Sequence, residues 1–296
     1  MTEQPCIERL GDLLCTVGES PVWHPGDQAL YGTDIPARRL WRYTPADGQI
    51  CQWQMPEMAG CIAMSATGWL AAMETGLYAL PALTPDQPKP QATPLTTVDH
   101  AAPNMRFNDG RCDRQGRFWA GTMVQDMSLA SDAGRLYRYA DRKLTIPLAA
   151  PFIVPNGMAF SPDGGKMYLS DSHPDRQRVW VFDYDRDVGV PHHGRVFIER
   201  LPAGRPDGAA VDQDGGYWIC GNDAGMLYRY TPDGRLDRSL ALPVAKPAMC
   251  AFGGARLDTL FITSIRPPHA AKDALDGALF AFIPGPCGLE ESAHIG

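Results

Sequence analysis

The sequence has no long hydrophobic run and no block of positive charge. None of its 296 residues lies in an uninterrupted apolar stretch of about 18, the length that a membrane-spanning helix needs. Its 34 acidic and 27 basic residues give a net charge of −7, and its lysines and arginines are scattered. Nucleic-acid binding needs a basic surface. We therefore expect neither a membrane nor a nucleic acid as a partner.

The cysteines lack the paired spacing of a zinc or disulfide framework. Eight are spread through the chain without a CxxC pair, which predicts reduced thiols in a cytoplasmic protein. The first six residues, MTEQPC, include an acid and have no apolar core, which argues against a signal peptide. We expect a monomer or a weak homodimer.

Helical periodicity is also missing, and short β-rich runs take its place. The 30 glycines and 27 prolines are typical of a chain with many tight turns. The runs follow turns such as the DGG at 163–165 and 214–216, where glycine supplies the positive φ of a hairpin. They lie at 29–31, 69–73, 118–120, 167–170, 217–220 and 260–263. The pattern predicts an all-β protein.

A phrase repeats along the chain at intervals of 40 to 50 residues. MAFSPDGGKMY at 158–168 recurs as AAVDQDGGYW at 209–218 and RCDRQGRFW at 111–119, with three weaker copies. Such a period indicates a propeller or a solenoid, and six copies favour a six-bladed β-propeller. We expect a single domain over 1–296, with residues 7–16 forming a strand that completes the last blade.

Six positions share one register of this repeat, four residues before an aligned apolar residue. In chain order they are Glu19, Gly60, Asn108, Asn156, Asp207 and Ala248. Since the first strand of each blade lines the channel of a propeller, the four acids and amides should meet at one mouth. Grouped carboxylates repel one another unless a cation compensates them. Oxygen ligands without His or Cys favour Ca²⁺, Mg²⁺ or Mn²⁺ over zinc. Taken singly, each of the four is also a common turn residue.

Arg106 lies two residues before Asn108, so both side chains should point to the same side of an extended segment. An arginine beside a cation suits an anionic group or a developing oxyanion. A surface salt bridge is the alternative interpretation of Arg106.

Four motifs together resemble the gluconolactonase/senescence-marker-protein (regucalcin) family over about residues 10–283. They are GESPVW at 18–23, RFNDG at 106–110, PNGMAFS at 155–161 and RPDG at 205–208, in that order. The resemblance implies a six-bladed propeller with one divalent metal at the channel mouth. It also implies hydrolysis of sugar lactones to aldonic acids.

Position by position, the resemblance implies a set of site residues. Glu19, Asn156 and Asp207 would be the metal ligands, Arg106 and Asn108 would bind substrate, and Asp207 would double as the general base. Ca²⁺ is expected first, with Mn²⁺, Mg²⁺, Zn²⁺ and Fe²⁺ as alternatives. The cation would polarise the lactone carbonyl and activate a water, whose proton Asp207 would accept, while Arg106 would stabilise the oxyanion.

The sequence departs from the family at two places. Gly32 stands where an aromatic residue is usual, which concerns blade packing. Asp126 lies near the position at which some relatives use a glutamate to touch the sugar. We therefore predict Asp126 as a substrate-binding residue whose shorter side chain reaches a different hydroxyl.

The sequence leaves two other functions open. One is a calcium-binding or regulatory protein without catalysis, because the same oxygen ligands would bind Ca²⁺ in either case. The other is an esterase of aryl esters or organophosphates, for which we expect an apolar pocket rim, whereas a sugar lactonase should have a polar one. A serine hydrolase is disfavoured because no GxSxG motif is present.

Overall fold

Six four-stranded antiparallel sheets make up most of the chain in the computed structural model, which describes residues 5–296. The expectation about a signal peptide falls largely on residues outside this part. Five sheets use consecutive strands, and the sixth combines three late strands with the earliest one. The prediction of an all-β, six-bladed β-propeller is confirmed.

Each blade has four strands, which follow one another from the channel outward. Blade 1 has β2 Gly18–His24, β3 Ala29–Asp34, β4 Arg39–Thr44 and β5 Gln49–Gln54. Blade 2 has β6 Cys61–Ser65, β7 Gly68–Ala72, β8 Gly76–Pro81 and β9 Thr93–Thr97. Blade 3 has β10 Met105–Cys112, β11 Phe118–Val124, β12 Gly134–Ala140 and β13 Lys143–Phe152. Blade 4 has β14 Pro155–Phe160, β15 Lys166–Asp171, β16 Val179–Asp185 and β17 Val190–Ile198. Blade 5 has β18 Arg205–Val211, β19 Tyr217–Asn222, β20 Met226–Tyr230 and β21 Leu236–Ala241. Blade 6 has β22 Pro247–Gly253, β23 Thr259–Ser264, β24 Leu279–Phe282 and β1 Glu8–Leu10.

The hydrophobic core lies between the blades. Six buried clusters each join two neighbouring blades, and one of them joins the last blade to the first. Between blades 1 and 2 the ring centroids of Tyr31 and Trp69 are 4.5 Å apart. Trp23 of blade 1 stacks on Phe261 of blade 6 at 5.8 Å. Each blade is therefore covered on both faces by its neighbours, as radial packing requires.

The first strand of the chain closes the ring. Strand β1 pairs with β24 in antiparallel register, with Leu10 opposite Leu279. It covers Glu8–Leu10 and is shorter than the segment 7–16 that the sequence suggested. The ladder joins the two ends of the chain within one sheet.

Gly32 provides room for a neighbouring aromatic ring. A Cβ atom at this position would lie 2.2 Å from Cζ2 of Trp41, which pairs with Gly32 on the next strand. The Trp41 ring is buried, and its Nε1 donates to the carbonyl of Thr33 at 3.0 Å. The indole of Trp41 therefore fills the space above the missing side chain.

The C-terminal segment crosses the end of the channel opposite the starts of the inner strands. His294 forms a bridge with Ser65 in the hairpin of blade 2, and Gly288 forms one with Asp212 in blade 5. Glu291 pairs with the buried Arg111 at 3.4 Å. In residues 5–296 no helix is long and apolar enough to cross a membrane.

Candidate active site

Four polar side chains from four blades lie near the start of the strands that line the channel. They are Glu19 on β2, Asn108 on β10, Asn156 on β14 and Asp207 on β18, and each is at most 8% exposed. The pairing register of each strand shifts at or just after this position. Such a bulge bends a strand and re-aims the side chains beside it. Corresponding bulges thus place the four side chains at corresponding heights.

Hydrogen bonds connect the members from blades 3, 4 and 5. The Asn156 Nδ2 donates to Oδ1 of Asp207. The Asn108 Nδ2 donates at 3.1 Å to the carbonyl of Pro155, the residue before Asn156. The other oxygen of Asp207, Oδ2, accepts from Nδ2 of Asn222 at 2.5 Å. The structure therefore brings these three predicted residues into one network.

Glu19 faces this network from blade 1. Burial raises the pKa of Glu19 well above its usual range, and the nearby carboxylates of Asp207 and Asp109 raise it further. Its Oε2 accepts from the backbone N–H of Ser20 at 3.1 Å, just as Oδ1 of Asn156 accepts from Gly157 at 3.0 Å. Ser20 and Gly157 both have a positive φ, 48° and 61°. The same local backbone conformation therefore orients an oxygen in blades 1 and 4.

Burial also disfavours the ionised form of Asp207. Desolvation and, to a smaller extent, the neighbouring Asp109 raise its pKa, while Arg205 and the hydrogen bond from Asn222 lower it, and together they bring the pKa to about 7. Glu19, Asp109 and Asp207 are thus three buried carboxylates close enough to repel one another, an arrangement that a cation would stabilise.

The donor atoms fit a hard divalent cation. Among the described residues, Oδ1 of Asp109, Oδ1 of Asn222 and Oγ of Ser170 are buried without a hydrogen-bond partner. Buried oxygens are normally paired, so unpaired ones beside repelling carboxylates indicate that a bound group is part of this site. Oxygen-only ligands match Ca²⁺, Mg²⁺ or Mn²⁺. The residues that could hold the ion are Glu19, Asn156 and Asp207.

Arg106 supplies a positive charge beside the four side chains. Its Nη1 donates to Oδ1 of Asn108 at 2.9 Å and to the carbonyl of Phe107 at 2.8 Å. Burial lowers its pKa to about 10, and attraction to Glu19 partly opposes that shift. Within residues 5–296 no carboxylate oxygen lies within 4.0 Å of it. Its guanidinium is therefore free to bind an anionic or electron-rich group.

Asp126 lies apart from these contacts. It is exposed and caps the 3₁₀ turn Met127–Leu129, where its Oδ1 accepts from the N–H and the hydroxyl of Ser128. The carbonyl of Met127 lies 3.2 Å from Nε2 of His173, which connects the turn to blade 4. No hydrogen bond connects Asp126 to the ring in the described residues, and its role in substrate binding stays a prediction.

Asp109 and Asn222 are site residues that the sequence did not reveal. Asn222 ends the second strand of blade 5 and pairs with Arg205, two residues before Asp207. Asp34 and Asp171 end the second strands of blades 1 and 4, but they pair one residue before Glu19 and Asn156 and accept from backbone N–H groups just before the inner strand. Asn222 is therefore one residue out of register with them, and no repeat signal points to it.

A second group of potential ligands lies on the outer strands of blade 4. Asp183, His192 and His193 bring one ligand atom each within 4.8 Å of the others. Both histidines are exposed, and Asp183 already pairs with Lys166 and Arg195. Two cations on one carboxylate disfavour a third, so this group fits a metal less well than the buried oxygens do.

A family profile described as "SMP-30/Gluconolactonase/LRE-like region" matches residues 17–266. The chain belongs to this family. It is 38% identical to the 6-deoxy-6-sulfogluconolactonase of Pseudomonas putida over 281 residues, 93% of each chain. It is 34% identical to the L-arabinolactonase of Azospirillum brasilense, over 87% of this chain and 83% of that one. The family resemblance seen in the sequence is confirmed.

A solved structure shows the same architecture. Regucalcin from Agrobacterium tumefaciens, described as a calcium-binding protein, superposes with a TM-score of 0.88 at 27% identity. The alignment covers 98% of this chain and 97% of that one. With the two curated relatives named as lactonases, the prediction that this family member is a lactonase is confirmed.

Proposed function

We propose that this protein hydrolyses five- and six-carbon sugar lactones to aldonic acids, using one divalent cation held by Glu19, Asn156 and Asp207. The observation that carries the proposal is the convergence of buried carboxylate and amide oxygens from blades 1, 4 and 5, with unpaired buried oxygens beside them. The relatives named for sulfogluconolactone and arabinolactone support the substrate class, and the calcium-binding regucalcin supports Ca²⁺.

The side chains present can divide the work of opening a lactone. A bound cation would supply Lewis acidity at the lactone carbonyl and lower the pKa of a water. Asp207, oriented by Asn156 and Asn222, accepts the proton of the water that attacks the carbonyl carbon. The guanidinium of Arg106 stabilises the negative charge on the former carbonyl oxygen. When the ring C–O bond breaks, the proton passes to the leaving ring oxygen and the acid is formed.

Asn108 is suited to orient the sugar. Arg106 and the carbonyl of Pro155 hold its amide from two sides, so it loses little freedom when it binds a hydroxyl. Arg205, which pairs with Asp223 at 2.6 Å, and Arg106 add charged groups two residues before Asp207 and Asn108. Charged and hydrogen-bonding groups beside the site favour a sugar lactone over the aryl esters considered as an alternative.

The experiment measures acid release from gluconolactone and arabinonolactone by chelator-treated protein before and after Ca²⁺, Mn²⁺, Mg²⁺ or Zn²⁺ is added. We expect activity only with a cation. Asp207→Ala should lower kcat/KM at least ~100-fold, because it removes both a ligand and the base. The exposed Asp187→Asn, at the other end of blade 4, is the matched control and should retain wild-type activity.

Two results would contradict this function. If Asp207→Ala retained more than half of the wild-type rate with cation present, Asp207 would not be the base. If the wild type bound Ca²⁺ but hydrolysed none of these lactones, the calcium-binding protein without catalysis would be the better description.

A further inference from the structure

Positive charges recur one layer above the ring of oxygen ligands. The residues two positions before the aligned ring positions are Val17, Met58, Arg106, Val154, Arg205 and Lys246. Arg106 and Arg205 lie in the inner strands and the other four lie just before them, so this series is up to about 7 Å nearer the mouth, from a rise of about 3.3 Å per residue. Three of the six are cationic in a chain whose net charge is −7. Arg106 belongs to the site already described, and Arg205 and Lys246 do not.

Arg205 and Lys246 lie on neighbouring blades and share one carboxylate. Nε of Arg205 is 2.6 Å from Oδ2 of Asp223, and Nζ of Lys246 pairs with Oδ1 of the same side chain. Two cations on one carboxylate leave one excess positive charge. The side chains of Arg205 and Lys246 are 18% and 31% exposed, so both can be reached from solvent.

Contacts to the active site hold the guanidinium of Arg205 in place. Its Nη1 donates to the carbonyl of Ser172 at 3.1 Å. The hydroxyl of Ser172 donates to the carbonyl of Pro206. The same hydroxyl oxygen lies 3.4 Å from Nδ2 of Asn156. Arg205 also acts electrostatically on Asp207. These hydrogen bonds connect Arg205 through Ser172 to Asn156, one of the proposed metal ligands. An ordinary exposed ion pair pairs one cation with one anion and contributes little.

We propose that Arg205 and Lys246 bind a second anionic group of the substrate, so that the preferred lactone carries a sulfonate, phosphate or carboxylate at the carbon farthest from the reacting carbonyl. This inference rests on the proposed function. A planar guanidinium and an ammonium are the groups that bind oxyanions most strongly. Two residues of extended chain separate Arg205 from Asp207 by about 7 Å, which is comparable with the length of a six-carbon lactone that carries an anionic group at its far end.

The test compares kcat/KM for two lactones that differ only at C6, 6-deoxy-6-sulfogluconolactone and gluconolactone. The wild type should prefer the sulfonated lactone by about 10- to 100-fold, the value of one or two hydrogen bonds to charged groups. Lys246→Met and Arg205→Gln should each lower this preference about 10-fold. High salt should lower it as well, because the attraction is screened.

Asp223→Asn should change the preference in the opposite direction. It removes the anion that competes for both cations, and asparagine tolerates the φ of 72° at this position. We expect the sulfonated lactone to gain at least about 3-fold over gluconolactone. A merely structural role for Asp223 would lower both rates together. Lys272→Met, an exposed lysine in a loop at the same end of the propeller, is the control and should leave the ratio unchanged.

A binding measurement separates this proposal from the proposed function. Calorimetry with 6-phosphogluconate and gluconate should show tighter binding of the phosphate, lost in Lys246→Met. Equal losses for both lactones in Lys246→Met and Arg205→Gln, or a wild type that binds 6-phosphogluconate no better than gluconate, would overturn the role of the cation pair. Failure of wild type to hydrolyse either lactone would instead count against the proposed function, and the calorimetry would still decide the question of anion binding.

Discussion

Asp207 is the residue on which most of the proposed chemistry depends, and its surroundings explain how it can serve. Asn156 and Asn222 each donate to one of its oxygens. Glu19 and Asp109 place negative charge nearby, and burial removes solvent. Two hydrogen bonds offset only part of these costs. A cation is the group that would let the ionised form persist.

The pH dependence of stability tests this view of Asp207. Its folded pKa of about 7 lies above the ~3.9 of an unfolded chain. The folded, metal-free protein therefore binds the proton more tightly, and this stabilisation is fully present below about pH 4 and is lost as the pH rises through 7. We expect the Tm of chelator-treated protein to fall across this range, and to fall less in Asp207→Asn. Calorimetric unfolding at several pH values measures both. Identical pH dependence in the two proteins would show that Asp207 does not titrate in this way.

The repeat register predicted the ring residues but not their partners. Glu19, Asn108, Asn156 and Asp207 share one position in the copies, and the structure places them at one end of the inner strands. Asp109 escaped because strict alternation would point it away from Asn108. The register shift in β10 breaks that alternation. Side-chain direction at a bulge does not follow from period-2 arguments.

At the scale of elements, the bulges in the inner strands set the geometry of the site. Five of the six inner strands shift register at this height, and β6 of blade 2 does not. Blade 2 has Gly60 in place of a polar residue, where a Cβ atom would lie 2.3 Å from the carbonyl oxygen of Phe107. Blade 2, which has no bulge, therefore contributes no ligand. Its Gly60 leaves room for β10 of blade 3 to approach closely.

Gly157→Ala tests the importance of the bulge in β14. Its φ is +61°, and a Cβ atom would meet Oγ of Ser170 and Oη of Tyr217 at 2.7 Å. Gly48→Ala is a matched control, because Gly48 has a φ of +69° with no atom within 4 Å of the new Cβ. Gly48→Ala should cost ~1 kcal/mol for the backbone alone, and Gly157→Ala a further ~1–3 kcal/mol for overpacking. Urea unfolding compares the two. Equal costs would mean that the strand adapts without strain.

Sequence patterns predicted the buried strands of each blade better than the outermost strand. Every predicted β-rich run lies within or overlaps the second strand of a blade, where both faces are buried. The outer strands β9 and β17 were missed because they are mostly exposed and lack apolar alternation. Burial on both faces selects β-branched and aromatic residues, and an outer strand experiences little of that selection.

For the whole molecule, ring closure is what brings distant residues together. Blade 6 contains both ends of the strand order, β1 and β22 to β24, and a hydrophobic cluster seals it against blade 1. Because the ring is closed, Glu19 of blade 1 and Asp207 of blade 5 lie at the same mouth of the central channel. The count of repeats was enough to predict six blades. It could not predict that the C-terminal segment would cross the opposite end, because that segment has no periodic pattern.

The most direct test is the location of a bound ion in crystals of chelator-treated protein soaked with Mn²⁺, whose anomalous scattering identifies it. We predict one strong peak bound by the Glu19 carboxylate, Oδ1 of Asn156 and the Asp207 carboxylate. The peak should be absent in Glu19→Gln crystals prepared in the same way. A wild-type map with no peak at the channel mouth, or with its only peak at Asp183, His192 and His193, would contradict this prediction.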